Sequence, residues 1–433
     1  MRLKQNNIPS QPRKTNTKTK SNTNTKTKSK MNKKTNRKTK KGGAKLGQGS
    51  FGCVIQPPIP CHDKSPFNTN KYVSKLIPMY TQDARRDVAE EINIAKVINK
   101  FDKHSKYFVV PKDWCNIQPK KIDRSRNNIT IKSKTHSQHK QDDDRRTCNI
   151  DPTVDIVNLI VPFGGIDLKD ILSYPKYKPY REIMKNHFGS IIRNILIGLK
   201  LLHKNGVVHL DIKLENFIVN VENNSAYVKY IDMGLGEYVK GRENDNLTLR
   251  DLEFHLGTPS YIAPEMYVIY KFAKMHKQII DTNYLFKPKF QQNFIEGILQ
   301  NLKKHKYSAE EVYKNSYRMN RQVLDFPNVK TDAVSRLTGN LDIIQHADIE
   351  KLYVQIAGMI HKDTIISDFY KPSTGIVYKY DIYSLGVSFF LMMKYLDIQS
   401  PKMKELIRHM IDLNPVRRFS ASECLDFVER YFR

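Results

Sequence analysis

The chain has 433 residues, 39% of them hydrophobic, and carries 73 Lys and Arg against 44 Asp and Glu for a net charge of +29. That length leaves room for a folded core of roughly 250–300 residues with added segments, and the apolar share suits such a core. No run of 18 or more apolar residues occurs, so no membrane span is expected. No apolar stretch follows the first basic residues as a secretion signal would, so an intracellular location, cytoplasm or nucleus, is expected.

Residues 1–41 hold fifteen Lys or Arg and no Asp or Glu, leaving +14 for the rest, in strings such as TNTKTKSNTNTKTKSK. So few apolar groups cannot offset the entropy of ordering, and a disordered basic tail is predicted. It reads as a solvated extension or as a contact to nucleic acid or an anionic surface. No aromatic residue interleaves the charges, so base stacking is not indicated. Residues 45–56 and 71–78 read as strands around a glycine turn. Residues 83–100 read as a helix with Glu91, Ile94, Ala95 and Ile98 on one face. Strands at 107–111 and 157–163 flank a polar insert, 117–150, expected as a flexible loop. A helix at 187–204 places Phe188, Ile192, Ile195, Leu199 and Leu202 at helical spacing. Short strands follow at 217–220 and 226–231. A second insert, 267–375, shows helical patterns near 290–305 and 347–361, and helices near 381–396 and 402–412 close the chain. The five cysteines, Cys53, Cys61, Cys115, Cys148 and Cys424, are odd in number and form no CxxC pair. Free thiols in a reducing compartment are therefore expected, neither a disulfide framework nor a zinc site.

The segment LGQGSFGCV sets Gly47, Gln48, Gly49, Ser50, Phe51, Gly52 and Val54 in the pattern GxGxxGxV. Glycines let backbone approach phosphates closely. A dinucleotide-binding fold would place a helix directly after the last glycine. Here Val54 and Ile55 continue as a strand into a proline-rich turn, so the loop joins two strands. Lys75 then ends the strand-like YVSK, and Glu91 lies on the next helix. Glu90 is its rival, and the apolar face of Ile94, Ala95 and Ile98 selects Glu91.

Further on come HLDIKLEN at 209–216, Asp232-Met233-Gly234 sixteen residues later, GTPSYIAPE at 257–265, YDIYSLGV around Asp381, and NPVRRFSA at 414–421. In this order the motifs resemble those of the eukaryotic-type protein kinase family, over residues 45–265 and 376–433. The resemblance implies an α+β, bilobal fold. Residues 42–163 would form a small antiparallel sheet lobe with one key helix, and 164–433 a larger helical lobe carrying the long insert. It implies a Ser/Thr protein kinase that uses ATP and Mg²⁺ on a protein substrate. Asp211 would orient the acceptor hydroxyl, and Lys213 would neutralise the transferring phosphoryl group. Asn216 and Asp232 would supply the hard oxygens that Mg²⁺ requires. Lys75, held by Glu91, would hold the α- and β-phosphates. Residues 257–265 would form a substrate-docking strip, Thr258 would bridge that strip to Asp211 and Lys213, and Arg418 would pair with Glu265. Val54, Val73 and Ile218 would sandwich adenine against a hinge from Val161 to Phe163, with Ile160 as gatekeeper. The position of Lys213, two residues after Asp211, marks the Ser/Thr branch.

The chain departs from the pattern in three places. Leu210 replaces the arginine that commonly receives a phosphate on the activation segment, so a constitutively competent enzyme is expected. Met233 replaces Phe, and Glu265 stands 116 residues before Asp381. The long docking-side insert and the Lys/Asn-rich segments resemble kinases of giant nucleocytoplasmic DNA viruses. A pseudokinase acting as a scaffold is the alternative function, and the retained Lys75, Glu91, Asp211, Asn216 and Asp232 argue against it. A small-molecule kinase would generally lack the docking strip. A nucleic-acid binder with a vestigial fold would keep its affinity without residues 1–41.

Overall fold

The computed structural model describes residues 44–49, 52–61, 71–118, 130–132, 147–151, 153–245, 257–258, 261–263, 266, 369–372, 375–412 and 415–432. The basic segment 1–41, Ser50, Phe51, Thr248, Glu265 and the helical patterns at 290–305 and 347–361 lie outside the described residues.

The first layer is a five-stranded antiparallel sheet. It comprises β1 (Ala44–Gly49), β2 (Gly52–Gln56), β3 (Tyr72–Pro78), β5 (Asp113–Ile117) and β8 (Ile156–Pro162) in the order β1-β2-β3-β8-β5. Strand β8 is paired on both sides, with β3 and β5, and reads as a nearly continuous apolar run, as strands covered on both faces do. Helix α1 (Gln82–Phe101) starts where the Thr81 hydroxyl accepts from the Ala84 N–H at 3.1 Å. It buries Val88, Glu91, Ile94, Ala95 and Ile98, the 3–4 spacing of one helical face.

Two findings correct the sequence reading here. The insert 117–150 was expected as a loop, yet it contributes β6 (Thr130–Lys132) and β7 (Thr147–Asn149), which pair in parallel. Four cysteines expected as free thiols are joined as Cys53–Cys148 and Cys61–Cys115, leaving Cys424 as a buried thiol. The partners stand 95 and 54 residues apart, so no local spacing announces them. Cys148 meets Cys53 only once the insert returns to β2, and Cys61 meets Cys115 only once β5 has joined the sheet. Around the bridges, Cys53, Ile55, Ile59, Leu76, Ile117, Cys148, Ile150 and Ile156 form a small core separate from the main one.

The second layer begins with a four-stranded sheet in the order β4-β12-β11-β9. Its strands are β4 (Phe108–Val109), β9 (Ile166–Asp167), β11 (Phe217–Glu222) and β12 (Ser225–Ile231). Asn223 and Asn224 turn the β11–β12 hairpin with φ of 50° and 59°, the left-handed pair that a tight hairpin needs and that Asn tolerates. The helices are α2 (Leu168–Ser173), α3 (Lys178–Asn186), α4 (Phe188–Lys204), α5 (Ile376–Tyr395), α6 (Pro401–Met410) and α7 (Ala421–Tyr431). Helix α5 is buried on all sides for most of its length and begins five residues before the expected start. Helix α7, which the sequence reading did not assign, opens on a capping box between Ser420 and Glu423. It is tied to α4 by Arg193–Glu429 at 2.7 Å.

Asp381 of α5 is fully buried and accepts the His209 N–H at 2.8 Å and the Leu210 N–H at 2.9 Å, with His203 Nε2 at 2.9 Å. The segment that carries Asp211 is thereby fastened to the core helix.

Candidate active site

A cavity of about 290 Å³ opens between the two layers. Val54 of β2, Val73 and Lys75 of β3, Glu91 of α1, Val161 of β8, Phe163 just after it, Ile218 of β11 and Asp232 all line it. Eight sequence-predicted residues thus meet on one wall system. Gly47, Gln48 and Gly49 lie in the β1–β2 hairpin above it, Gln48 opposite Cys53 and Gly49 opposite Gly52. A side chain at Gly52 would place Cβ 2.0 Å from the Leu76 carbonyl oxygen, so only glycine lets β2 lie this close to β3. Ile160 is buried and paired with Ser74 and Asp113, and it is not among the cavity-lining residues.

Lys75 Nζ donates to Glu91 Oε1 at 2.9 Å and Oε2 at 3.1 Å, and to Asp232 Oδ1 at 2.7 Å. The helix-face argument therefore selected the right glutamate. Glu90 instead accepts the Tyr238 N–H at 2.9 Å. Burial pulls the Lys75 ammonium down, but the charges of Asp232 and Glu91 outweigh it and raise its pKa above the ordinary lysine value. Burial also pushes Asp232 up, and Lys75 more than reverses this, so its carboxyl sits below the ordinary aspartate value. For Glu91 burial prevails over Lys75, and its pKa is raised.

The second cluster is built on the turn after β10 (Val207–Val208). Lys213 Nζ donates to Asp211 Oδ2 at 2.6 Å and to Thr258 Oγ1 at 2.8 Å. Thr258 gives its N–H (2.9 Å) and its hydroxyl (2.8 Å) to Asp211 Oδ1. Asn216 Nδ2 donates to the Asp211 carbonyl at 2.7 Å and to Oδ2 at 3.0 Å. Leu210 and Asp232 hold left-handed φ values of 59° and 60°. Non-glycine residues adopt this region only where the surroundings enforce it, at roughly 1–3 kcal/mol each.

Arg418, the expected partner of Glu265, is 1% exposed; it donates to the Asp412 and Lys379 carbonyls at 3.0 Å each and lies over the Tyr383 ring. Met233 is buried in the main core.

Asp167 lines the cavity and was not singled out from the sequence. It caps α2, accepting the Asp170 N–H at 3.1 Å, and burial pushes its pKa up to about 7. Its signal was present in FGGIDLKD, an Asp at the N-cap position just after a glycine turn. That turn needs glycine: Cβ at Gly164 would lie 1.9 Å from Ile218 Cδ1, and at Gly165 2.3 Å from the Val219 carbonyl oxygen.

Two oxygens here suit a hard divalent cation. Asp232 Oδ2 and Asn216 Oδ1 accept no hydrogen bond among the described residues, while their companion atoms are committed to Lys75 and to Asp211. The donor set fits Mg²⁺, which takes a few protein oxygens and completes its shell with water and phosphate.

Comparison with known proteins adds sequence relatives to this geometry. Residues 155–283 match the protein kinase domain family. Serine/threonine-protein kinase 17A of Oryctolagus cuniculus is 40% identical over 76 residues, 18% of this chain and 17% of that protein. The probable serine/threonine-protein kinase 2 of Plasmodium falciparum is 36% identical over 88 residues, 20% of this chain and 15% of the relative. Serine/threonine-protein kinase PSK2 of Saccharomyces cerevisiae is 32% identical over 103 residues, 24% of this chain and 8% of its own. The matched stretches thus cover less than a fifth of each of these relatives. Together with the antiparallel sheet lobe, the helical lobe and the cavity between them, they establish that the chain carries the bilobal protein-kinase fold.

Proposed function

We propose that the chain is an ATP-dependent protein serine/threonine kinase. The observation that carries this reading is the Asp211–Lys213–Thr258–Asn216 cluster, each member hydrogen-bonded to another. It lies close enough to Asp232 that Lys213 acts on the Asp232 charge. Phosphoryl transfer asks mainly for positioning and charge neutralisation. In the proposed roles, Asp211 accepts the hydrogen bond of the acceptor hydroxyl and aims its oxygen, while Thr258 fixes the carboxylate rotamer. Lys213 and Lys75 place two cations where phosphate charge accumulates, and Glu91 keeps Lys75 pointed into the cavity. The apolar walls of Val54, Val73 and Ile218 receive the base. Mg²⁺ held by Asp232 and Asn216 would supply neutralisation of the phosphate oxygens.

The active arrangement is proposed to form without a phosphate on the activation segment. Leu210 is buried in the main core and carries no charge that calls for an anion. Its neighbours β10 and β13 (Glu237–Tyr238) are already paired, Val207 with Tyr238 and Val208 with Glu237.

The test is transfer of the γ-phosphate of ATP to serine and threonine peptides. Asp211→Asn and Lys75→Met should each lower the rate by about 10²–10³, roughly 3–4 kcal/mol of transition-state stabilisation. Near-full transfer by Asp211→Asn would refute the assignment. Phosphatase-treated protein, assayed at once, should keep most of its activity; a tenfold drop restored by rephosphorylation would refute phosphate-independent competence.

A further inference from the structure

Glu215 sits in the same turn as Asp211 and Asn216, on a 3-10 segment from Leu214 to Asn216. Its surroundings show where its carboxylate lies. Burial and then Glu215 push the phenol of Tyr261, in the docking strip, well above its ordinary value, with Asp211 adding to the shift. Burial and Glu215 likewise raise Tyr395 at the end of α5. The carboxylate is therefore at the junction of the Asp211 turn, the docking strip and α5, beside the place proposed for the acceptor residue.

That carboxylate is occupied. Lys169, at the start of α2, donates to Glu215 Oε1 at 2.6 Å, the two side chains being 26% and 25% exposed. Glu215 Oε2 is buried and has no hydrogen-bond partner among the described residues. A free glutamate here would attract a basic residue of a protein substrate. A glutamate already paired offers a neutral pair instead, and an arriving Arg or Lys would meet the ammonium of Lys169 at close range. Like charges brought together in this way act against the wrong partner.

We infer that Lys169 is a specificity-determining residue: it fills the acidic subsite at Glu215 with a cation of the chain itself and so selects against substrates with basic residues just before the acceptor. The inference rests on the kinase reading proposed above. On it, the substrates are proteins whose acceptor Ser or Thr follows neutral or acidic residues. The pairing is set by two residues 46 apart in sequence, on α2 and on the catalytic turn.

The experiment uses the full chain and two fluorescent serine peptides, one with Arg and one with Ala at the second and third positions before the serine. Binding is read by anisotropy and turnover with ATP. The wild-type chain should bind the Arg peptide no more tightly than the Ala peptide. Lys169→Met, which keeps the apolar stem, should tighten the Arg peptide about three- to tenfold relative to the Ala peptide. Adding Glu215→Gln to that variant should erase the gain. Lys169→Gln serves as the second variant, with circular dichroism melts confirming that each remains folded. The inference is overturned if the wild-type chain prefers the Arg peptide and loses that preference in Glu215→Gln. It is also overturned if neither Lys169 variant moves the ratio. If the wild-type chain phosphorylates neither peptide, nor any member of a serine and threonine library, the kinase reading fails; the binding ratio still decides the role of Lys169.

Discussion

Asp167 shows how one side chain can serve the fold and strain it at once. It caps α2 and lines the cavity, and burial lifts its pKa to about 7. An unfolded aspartate titrates near ~3.9, so the folded chain binds more protons between roughly pH 4 and pH 7. Stability linked to this group is therefore fully present below about pH 4, falls as pH rises through that window, and stays low above pH 7. Asn is as good an N-cap as Asp, so Asp167→Asn removes the charge and keeps the cap. Thermal melts should show the variant more stable than wild type at pH 8, by about 2 °C or more, and indistinguishable at pH 4. An equal shift at both pH values would mean that cap geometry, not charge, sets the difference. Leu210 illustrates a different economy. Its side chain is buried among apolar neighbours while its N–H holds Asp381 at 2.9 Å, so the backbone performs the anchoring and the side chain is free to be apolar.

Among the elements, the sheet with its two cystine bridges is where sequence and structure part most clearly. Helices α1 and α4 and strand β12 were legible because each buries one face with the period of its own backbone, and β3, β8 and β11 because each is a short apolar run bounded by polar or turn residues. The Lys75–Glu91 and Asp211–Lys213–Thr258 contacts were legible because fixed motifs carry them. Strands β6 and β7 were not, since three-residue strands in a polar segment have no period to read. The cysteine pairs were not, because residues 95 and 54 positions apart become neighbours only through tertiary pairing. The Cys53–Cys148 bridge anchors the insert to the glycine-loop side of the sheet, joining β7 to β2 next to Gly52 and Val54, and the Cys61–Cys115 bridge ties the segment after β2 to β5. In the chain-entropy account, closing loops of this size destabilises the unfolded ensemble by about 4–5 kcal/mol each. A reductant such as dithiothreitol should therefore lower the melting temperature of the full chain. Cys53→Ala with Cys148→Ala should reproduce part of the drop and make the remainder smaller. Thiol titration of the denatured, unreduced protein should find one reactive cysteine, Cys424; five would show that the bridges do not form.

At the scale of the whole chain, charge is the property that a folded description leaves unaccounted for. Fifteen of the cations fall in residues 1–41 with no acid among them, and residues 42–433 carry only +14 of the +29. The Asp211 cluster, the cavity and both bridges belong to Gly42–Arg433, and every function proposed for them is carried by that unit. The basic segment therefore calls for a separate role, and binding to a polyanion such as duplex DNA is proposed for it. Such binding releases counterions, so its affinity falls with salt at a slope of about −0.9 per phosphate contacted. If about half of the fifteen cations touch phosphate, the segment contributes a slope of about −6 or −7. Deleting residues 1–41 should remove most of that slope when binding to a DNA duplex is measured between 50 and 200 mM salt, roughly the range in which multi-phosphate contacts are lost. The same deletion should leave the melting temperature and the turnover of short peptides nearly unchanged, because the cavity and the Asp211 cluster are built from residues 42–433. A truncated chain that binds DNA with the full slope would place the polyanion surface on residues 42–433, among the +14 that remain. One that loses peptide turnover would instead place the segment in contact with the catalytic lobes.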